Sequence, residues 1–206
     1  MPPRLIIFAR YPLPGRTKTR LIQRLGEAEA ARLQDAMTRH TLQQASAVAS
    51  RRRVEIEVRF TGGSSEAMRE RYGGDFAYTD QGDGDLGQRL SRAAAEASSR
   101  PIVIVGTDCP GISADILDAA FAALSDHDIV LGPALDGGYY LVGCRVFVPA
   151  LFQGIRWSTS EVLAQTRDAA SRAGLSCALL QPLADVDVPD DLPACADLLF
   201  RTPPPP

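Results

Sequence analysis

Apolar positions along the chain fall into short runs that alternate with stretches of helical spacing. Arg4–Ala9 carries the compact run LIIF and predicts a first strand. A loop rich in proline and glycine follows, and Glu27–Ser50, rich in alanine and leucine, predicts a long helix. Val54–Phe60 (VEIEVRF) alternates as a half-buried strand does. Ser64–Tyr72 predicts a short helix capped by Ser64 or Ser65, Phe76–Thr79 a weak strand, and Leu86–Ser98 a helix. Ile102–Val105 predicts a buried strand, followed by a helix over Ile112–Leu124 and strands over Asp128–Leu131 and Tyr139–Cys144. A helical piece near Val148–Phe152 precedes an amphipathic helix, Ser160–Ala173, that Gly174 ends; Cys177–Leu180 is the last strand and Asp191–Phe200 the last helix. Such alternation implies an α/β chain with a mostly parallel sheet covered on both faces.

Composition narrows the classes. With 206 residues, 45% of them hydrophobic, the chain buries a full core, and with no repeat or linker in view one domain over residues 1–202 is the expectation. Pro203–Pro206 is expected to be a frayed, disordered tail. A net charge of −3, and no basic cluster interleaved with aromatic residues, argue against a nucleic-acid partner; the basic run Arg51–Arg53 reads as a solvated turn. No apolar run approaches the roughly 20 residues of a membrane span. The first strand begins almost at once, so no signal peptide is expected, and the four scattered cysteines suit a reducing cytoplasm. Cys109 has no histidine near it in sequence to activate it, and His40 and His127 suggest neither a metal site nor a triad.

Four loops carry the candidate chemistry. Ala9–Leu21 (ARYPLPGRTKTRL) supplies Arg10, Arg16, Lys18 and Arg20 in a glycine-containing turn after a strand, a composition suited to phosphate oxygens or to a plain exposed loop. It matches neither GxxxxGK[ST] nor GxGxxG. Thr79–Leu90 (TDQGDGDLGQRL) holds three glycines that let backbone approach a flat ligand; Gln81 can read a base edge, and Asp83 or Asp85 can cap the next helix. Pro133–Gly143 (PALDGGYYLVG) reads as a hairpin turn at Gly137–Gly138, with Asp136 able to face a ligand crevice. In Ala184–Leu192 (ADVDVPDDL), Pro189 fixes a turn and Asp190 can cap the last helix.

Two carboxylates emerge from these loops as metal candidates. Asp108 follows the Ile102–Val105 strand, where α/β sheets bind ligands at the carboxyl edge; it is either a cation ligand or the cap of the helix after it. Asp187 is placed as the second ligand, with Asp185 as a third participant, and phosphates complete the shell as they do around Mg²⁺. Such parts suit phosphoryl chemistry without a covalent protein intermediate, and a phosphate or carboxylate nucleophile needs no general base.

As a set, FARYPLPGRTKTRL, QGDGDLGQRL, GTDCPGI, LGPALDGGYYLVG, WSTSEVL and DVDVPDDL resemble the nucleotide-diphospho-sugar transferase superfamily, with its glycosyltransferase-A-like fold. Most similar is the bacterial family described as cofC-like glycosyltransferases or radical-SAM/selenodomain-associated transferases. The resemblance implies a single Rossmann-like three-layer domain with a mostly parallel mixed sheet that binds a nucleotide with Mg²⁺ or Mn²⁺. It places Asp108 and Asp187 as metal ligands, with Lys18 and Asp108 carrying the chemistry. GRTKTRL is similar to the AKSRL segment of 2-phospholactate guanylyltransferase, making Lys18 and Arg20 triphosphate-binding candidates; Arg16 matches by loop position only. Gln81, Gly84, Leu86 and Gly87 fall where relatives contact the base. Arg10, Asp136, Gly137, Gly138 and Trp157 complete the binding candidates, Trp157 as an acceptor-pocket wall or as a half-buried aromatic with Ser158 or Thr159 capping the next helix. The LAAGxGxR loop is absent, Asp108 is followed by Cys-Pro rather than completing a DxD motif, and Val188 stands where relatives carry threonine. The expected function is therefore nucleotidyl transfer from a nucleoside triphosphate to a small phosphorylated acceptor in the cytoplasm. Glycosyl transfer from a nucleotide sugar and non-catalytic nucleotide binding are the alternatives, and homo-oligomerisation stays open.

Overall fold

The computed structural model describes residues 1–97 and 100–195. The proline tail, Ser98 at the end of the predicted Leu86–Ser98 helix, and the end of the predicted last helix lie outside them.

Seven strands form one sheet in the order β3-β2-β1-β4-β6-β5-β7. They are β1 (Arg4–Arg10), β2 (Glu55–Thr61), β3 (Ala77–Asp80), β4 (Ile102–Gly106), β5 (Ile129–Pro133), β6 (Tyr139–Cys144) and β7 (Cys177–Leu179). The first four run parallel, Phe8 lying between Arg59 of β2 and Gly106 of β4. β6 alone is antiparallel to its neighbours β4 and β5, and β7 returns parallel to β5. The sheet is thus mixed and mostly parallel, as the alternating pattern implies.

Helices cover both faces. Helix α1 (Ile22–Leu25) is a single turn, and α2 (Glu27–Arg51), α3 (Ser65–Tyr72) and α5 (Ala114–Asp126) pack on one side. There Leu42, Val48, Leu117 and Phe121 meet Leu5, Ile7, Val103 and Val105. On the other side, α4 (Leu86–Glu96) and α6 (Val162–Arg172) bring Leu90, Ala93, Ala94 and Ala170 against Ile6, Ile102, Ile104 and Val142. Alternate residues of one strand feed opposite cores, which is why β1 and β4 read as continuous apolar runs.

Three local readings change. Helix α5 starts at Ala114 rather than Ile112, because the Ser113 hydroxyl accepts from Ile116 N and caps it. Alternation in β2 suggests a solvated face, yet Glu57 and Arg59 on that face are 5% and 1% exposed. Arg59 Nε donates to Glu57 at 2.8 Å and its other end pairs with Glu96 of α4, so α4 buries the charges as partners rather than leaving them wet. Among the described residues the last element is a 3₁₀ segment, Pro189–Cys195, and Asp191, not Asp190, accepts from the backbone N–H groups of Asp187 and Val188.

Candidate active site

At the carboxyl ends of β1 and β4 the chain forms an open cleft of about 770 Å³, within the size range of small-molecule sites. The β1 loop reaches it in a fixed shape. Tyr11 N extends the β1–β2 pairing to Thr61 O, and the buried Thr17 hydroxyl donates to Tyr11 O and accepts from Leu13 N. These bonds set up Lys18, which adopts φ 50° and ψ 45°. A left-handed conformation costs a non-glycine residue roughly 1–2 kcal/mol, so tertiary contacts must hold it.

Those contacts are the centre of the site. The Lys18 ammonium lies 2.7 Å from Asp108 Oδ1, 2.9 Å from Asp187 Oδ1 and 2.6 Å from Val186 O. Its side chain is only 4% exposed, whereas the two carboxylates are about half exposed toward the cleft. Burial alone would lower the Lys18 pKa; the Asp108 and Asp187 charges and hydrogen bonds outweigh it and the net shift is upward.

Backbone pairing explains how residues so distant in sequence meet. Leu183 N donates to Pro133 O, Leu135 N to Leu183 O, and Val186 N to Asp108 O, strapping the 183–187 segment from the end of β5 across to the loop after β4. Asp108 is not a helix cap, since Ser113 fills that role.

The β5–β6 hairpin forms the next wall. Asp136 Oδ1 accepts from Gly138 N, closing the turn. Gly137 has φ 92° and accepts from Leu163 N, and a Cβ there would collide with the Ser160 backbone. Asp185 stands beside this turn. Desolvation, then the charges of Asp136, Asp187 and Asp191, raise its carboxyl pKa, while a backbone hydrogen bond opposes them.

Across the cleft, Trp157 is half-buried, packs on Gly87 and meets Tyr139 edge-on with ring centroids 6.3 Å apart. Helix α6 begins only at Val162, with no side-chain cap; Thr159 instead donates to Arg156 O, so the expected Ser158 or Thr159 cap is replaced by a turn. Arg10, Arg16 and Arg20 are exposed at the rim, and Leu86 is partly exposed beside them.

Two base-side expectations change. Gln81 is 5% exposed; its amide donates to Ala9 O and Arg59 O and accepts from Arg89, so it ties strands together instead of offering a free edge. Gly87 makes room for the indole rather than for a ligand, and Gly84 (φ 107°) serves the turn into the Asp85–Gln88 capping box of α4. Cys109 is a buried filler whose thiol is pushed up by burial and then by Asp185 and Asp108.

Other cleft residues carried little signal in sequence. Arg89, on the first turn of α4, adds a cation, visible only as one letter of QRL. Buried Gln34, from the N-terminal third of α2, donates to Thr107 Oγ1 beside Asp108. Tyr139 adds an aromatic wall to the lining, with its buried hydroxyl beside Thr166 of α6.

The donor set fits a hard divalent cation. A positive group already sits between Asp108 and Asp187, so both carboxylates point at one cation-sized position. Among the described residues no three His, Cys, Asp or Glu side chains form a complete metal cluster. Mg²⁺ is commonly held by one or two carboxylates, with waters and substrate phosphates supplying the rest.

Comparison with known proteins gives three kinds of match. A family model described as an uncharacterized protein conserved in bacteria (DUF2064) matches residues 41–159. A 3-phospho-D-glycerate guanylyltransferase from Phenylobacterium zucineum (strain HLK1) is 38% identical over 106 residues, 50% of this chain and 47% of that protein. The match thus spans about half the length of that curated relative. A crystal structure from Desulfovibrio desulfuricans G20, assigned as a nucleotide-diphospho-sugar transferase, aligns with TM-score 0.86 at 31% identity over 98% of this chain and 87% of that one. The inositol-1-phosphate CTP transferase from T. maritima shares the fold, with TM-score 0.61 at 12% identity over 97% of each chain.

Proposed function

The chain belongs to the DUF2064 family, and from that premise we propose that it is a metal-dependent nucleotidyltransferase that joins a nucleoside monophosphate, taken from a nucleoside triphosphate, to a small phosphorylated acceptor. One observation carries this reading: Asp108 and Asp187, from separate loops, converge on a single cation position beside a cleft rimmed by arginines. The name of the Phenylobacterium zucineum relative makes GTP and 3-phospho-D-glycerate the first substrates to try.

In this reading Asp108 and Asp187 hold Mg²⁺ or Mn²⁺, which neutralises charge on the reacting phosphate. Arg10, Arg16 and Arg20 grip the triphosphate oxygens, Lys18 adds its charge to them, and Leu86, partly exposed in the cleft, lies along the base or sugar. Trp157, with the Asp136–Gly138 hairpin, walls the acceptor side. An acceptor oxyanion attacks Pα, the Pα–O bond to pyrophosphate breaks, and the electron pair leaves with pyrophosphate. No proton need be removed from such a nucleophile, so positioning and charge stabilisation suffice.

The test is incubation with Mg²⁺, each nucleoside triphosphate and phosphorylated hydroxy acids, with pyrophosphate release as the signal. Acceptor-dependent pyrophosphate supports the reading. Release of nucleoside diphosphate from nucleotide sugars alone would replace it with glycosyl transfer.

A further inference from the structure

Lys18 is the only lysine in a chain with 21 arginines. It is placed where two carboxylates and a backbone carbonyl use all three of its ammonium hydrogens. A guanidinium is a broad planar fork, whereas an ammonium is a compact point charge, so lysine is the cation that fits between two carboxylate oxygens.

Resting on the nucleotidyltransferase reading, we propose that Lys18 is a built-in counter-cation that keeps the Asp108–Asp187 pair closed to divalent cations until nucleotide phosphates draw its ammonium away. The ammonium contacts Oδ1 of both residues, so a metal bridging the same atoms would have to displace it. Two positive centres at contact distance repel strongly where water is scarce, and the Lys18 side chain is 4% exposed. Displacement alone would strip the ammonium of its partners. Phosphate oxygens entering beside Arg16 and Arg20 supply new acceptors, so metal and nucleotide load together. The backbone favours this exchange: Lys18 stands just before the short 3₁₀ turn Thr19–Leu21, in a left-handed conformation that its present contacts maintain.

The single lysine makes the test direct. Protein labelled with ¹⁵N-lysine carries one side-chain resonance, and a buried, fully bonded ammonium exchanges its protons slowly enough to be seen. Mg²⁺ alone at millimolar concentration should leave that resonance in place; Mg²⁺ with a non-hydrolysable triphosphate analogue should move it. In parallel, Lys18→Met should bind Mn²⁺ without nucleotide at least tenfold more tightly than the unaltered protein, read by loss of the free Mn²⁺ electron-spin signal, with Lys18→Gln as the second variant. Tight Mn²⁺ binding to the unaltered protein without nucleotide, or variants that bind Mn²⁺ no better, overturns the proposal. Should both variants fail to fold, the resonance decides: movement with Mg²⁺ alone, or none with Mg²⁺ and analogue together, is equally fatal. Neither measurement needs turnover, so an inactive protein with the expected metal behaviour would count against the transferase reading and not against this one.

Discussion

The Trp157 indole lies so close over Gly87 that a methyl group at that α-carbon would overlap the ring. Gly87 is buried within the first turn of α4. Gly87→Ala should therefore tilt the indole into the cleft and lower stability by about 1–3 kcal/mol, the usual cost of overpacking. Trp157 is the only tryptophan, so its emission reports the change alone. A red-shifted spectrum with a reduced melting temperature is expected; an unchanged spectrum would mean that the contact is not kept in solution.

Asp108→Asn and Asp187→Asn should separate chemistry from folding. Asparagine keeps an oxygen for Lys18 but loses the charge a divalent cation requires. Since Ser113, not Asp108, caps α5, circular dichroism and the melting temperature should stay close to those of the unaltered protein. Turnover should fall by about a hundredfold or more, the scale seen when one preorganised electrostatic contact is lost. Folding lost together with activity would return Asp108 to a structural role.

Much of this arrangement was legible in the sequence because it rests on local rules. Buried strands announce themselves as apolar runs, and β6 (Tyr139–Cys144) was readable to the residue. Ser64 and Asp85 cap α3 and α4 through the side-chain oxygens that make them good caps. Asp108 and Asp187 could be paired because both follow strands at the same sheet edge. What escaped was tertiary. Nothing local shows that Lys18 turns inward to the carboxylates, that Gln81 spends its amide on two strands, or that β2 buries Glu57 and Arg59 under α4. Those outcomes depend on which elements become neighbours, and the antiparallel insertion of β6 between β4 and β5 is set by the whole sheet.

Gln81 supplies a test of that distinction. Its amide donates to Ala9 O and Arg59 O, joining the carboxyl ends of β1 and β2 beneath the cleft. Gln81→Ala leaves those carbonyls without this donor and should cost about 1–3 kcal/mol, the penalty for unsatisfied buried polar groups. Denaturant melts should register the loss, while the ranking of nucleoside triphosphates by pyrophosphate release should not change. A reordered ranking with full stability would restore Gln81 as a base reader.

The pH dependence of stability should expose the crowding of acids around the site. Asp185 carries a pKa above its ordinary 3.8, through desolvation first and then the charges of Asp136, Asp187 and Asp191. Between 3.8 and the raised value the folded protein holds a proton that the unfolded chain has released, so this group's contribution turns unfavourable as pH rises through that window. Above it the cost is constant. Asp185→Asn removes the cost and should raise the melting temperature at pH 7 in chelator; the advantage should shrink toward zero as pH falls to about 3.8. A divalent cation with a triphosphate should shrink it as well, because bound positive charge relieves the same repulsion. Thermal melts of both proteins from pH 4 to 8, in chelator and then with Mg²⁺ and nucleotide, check each limb. A variant less stable than the unaltered protein at pH 7 in chelator would mean that the Asp185 carboxylate is held by favourable partners, and the acidic side of the cleft would no longer be short of a cation.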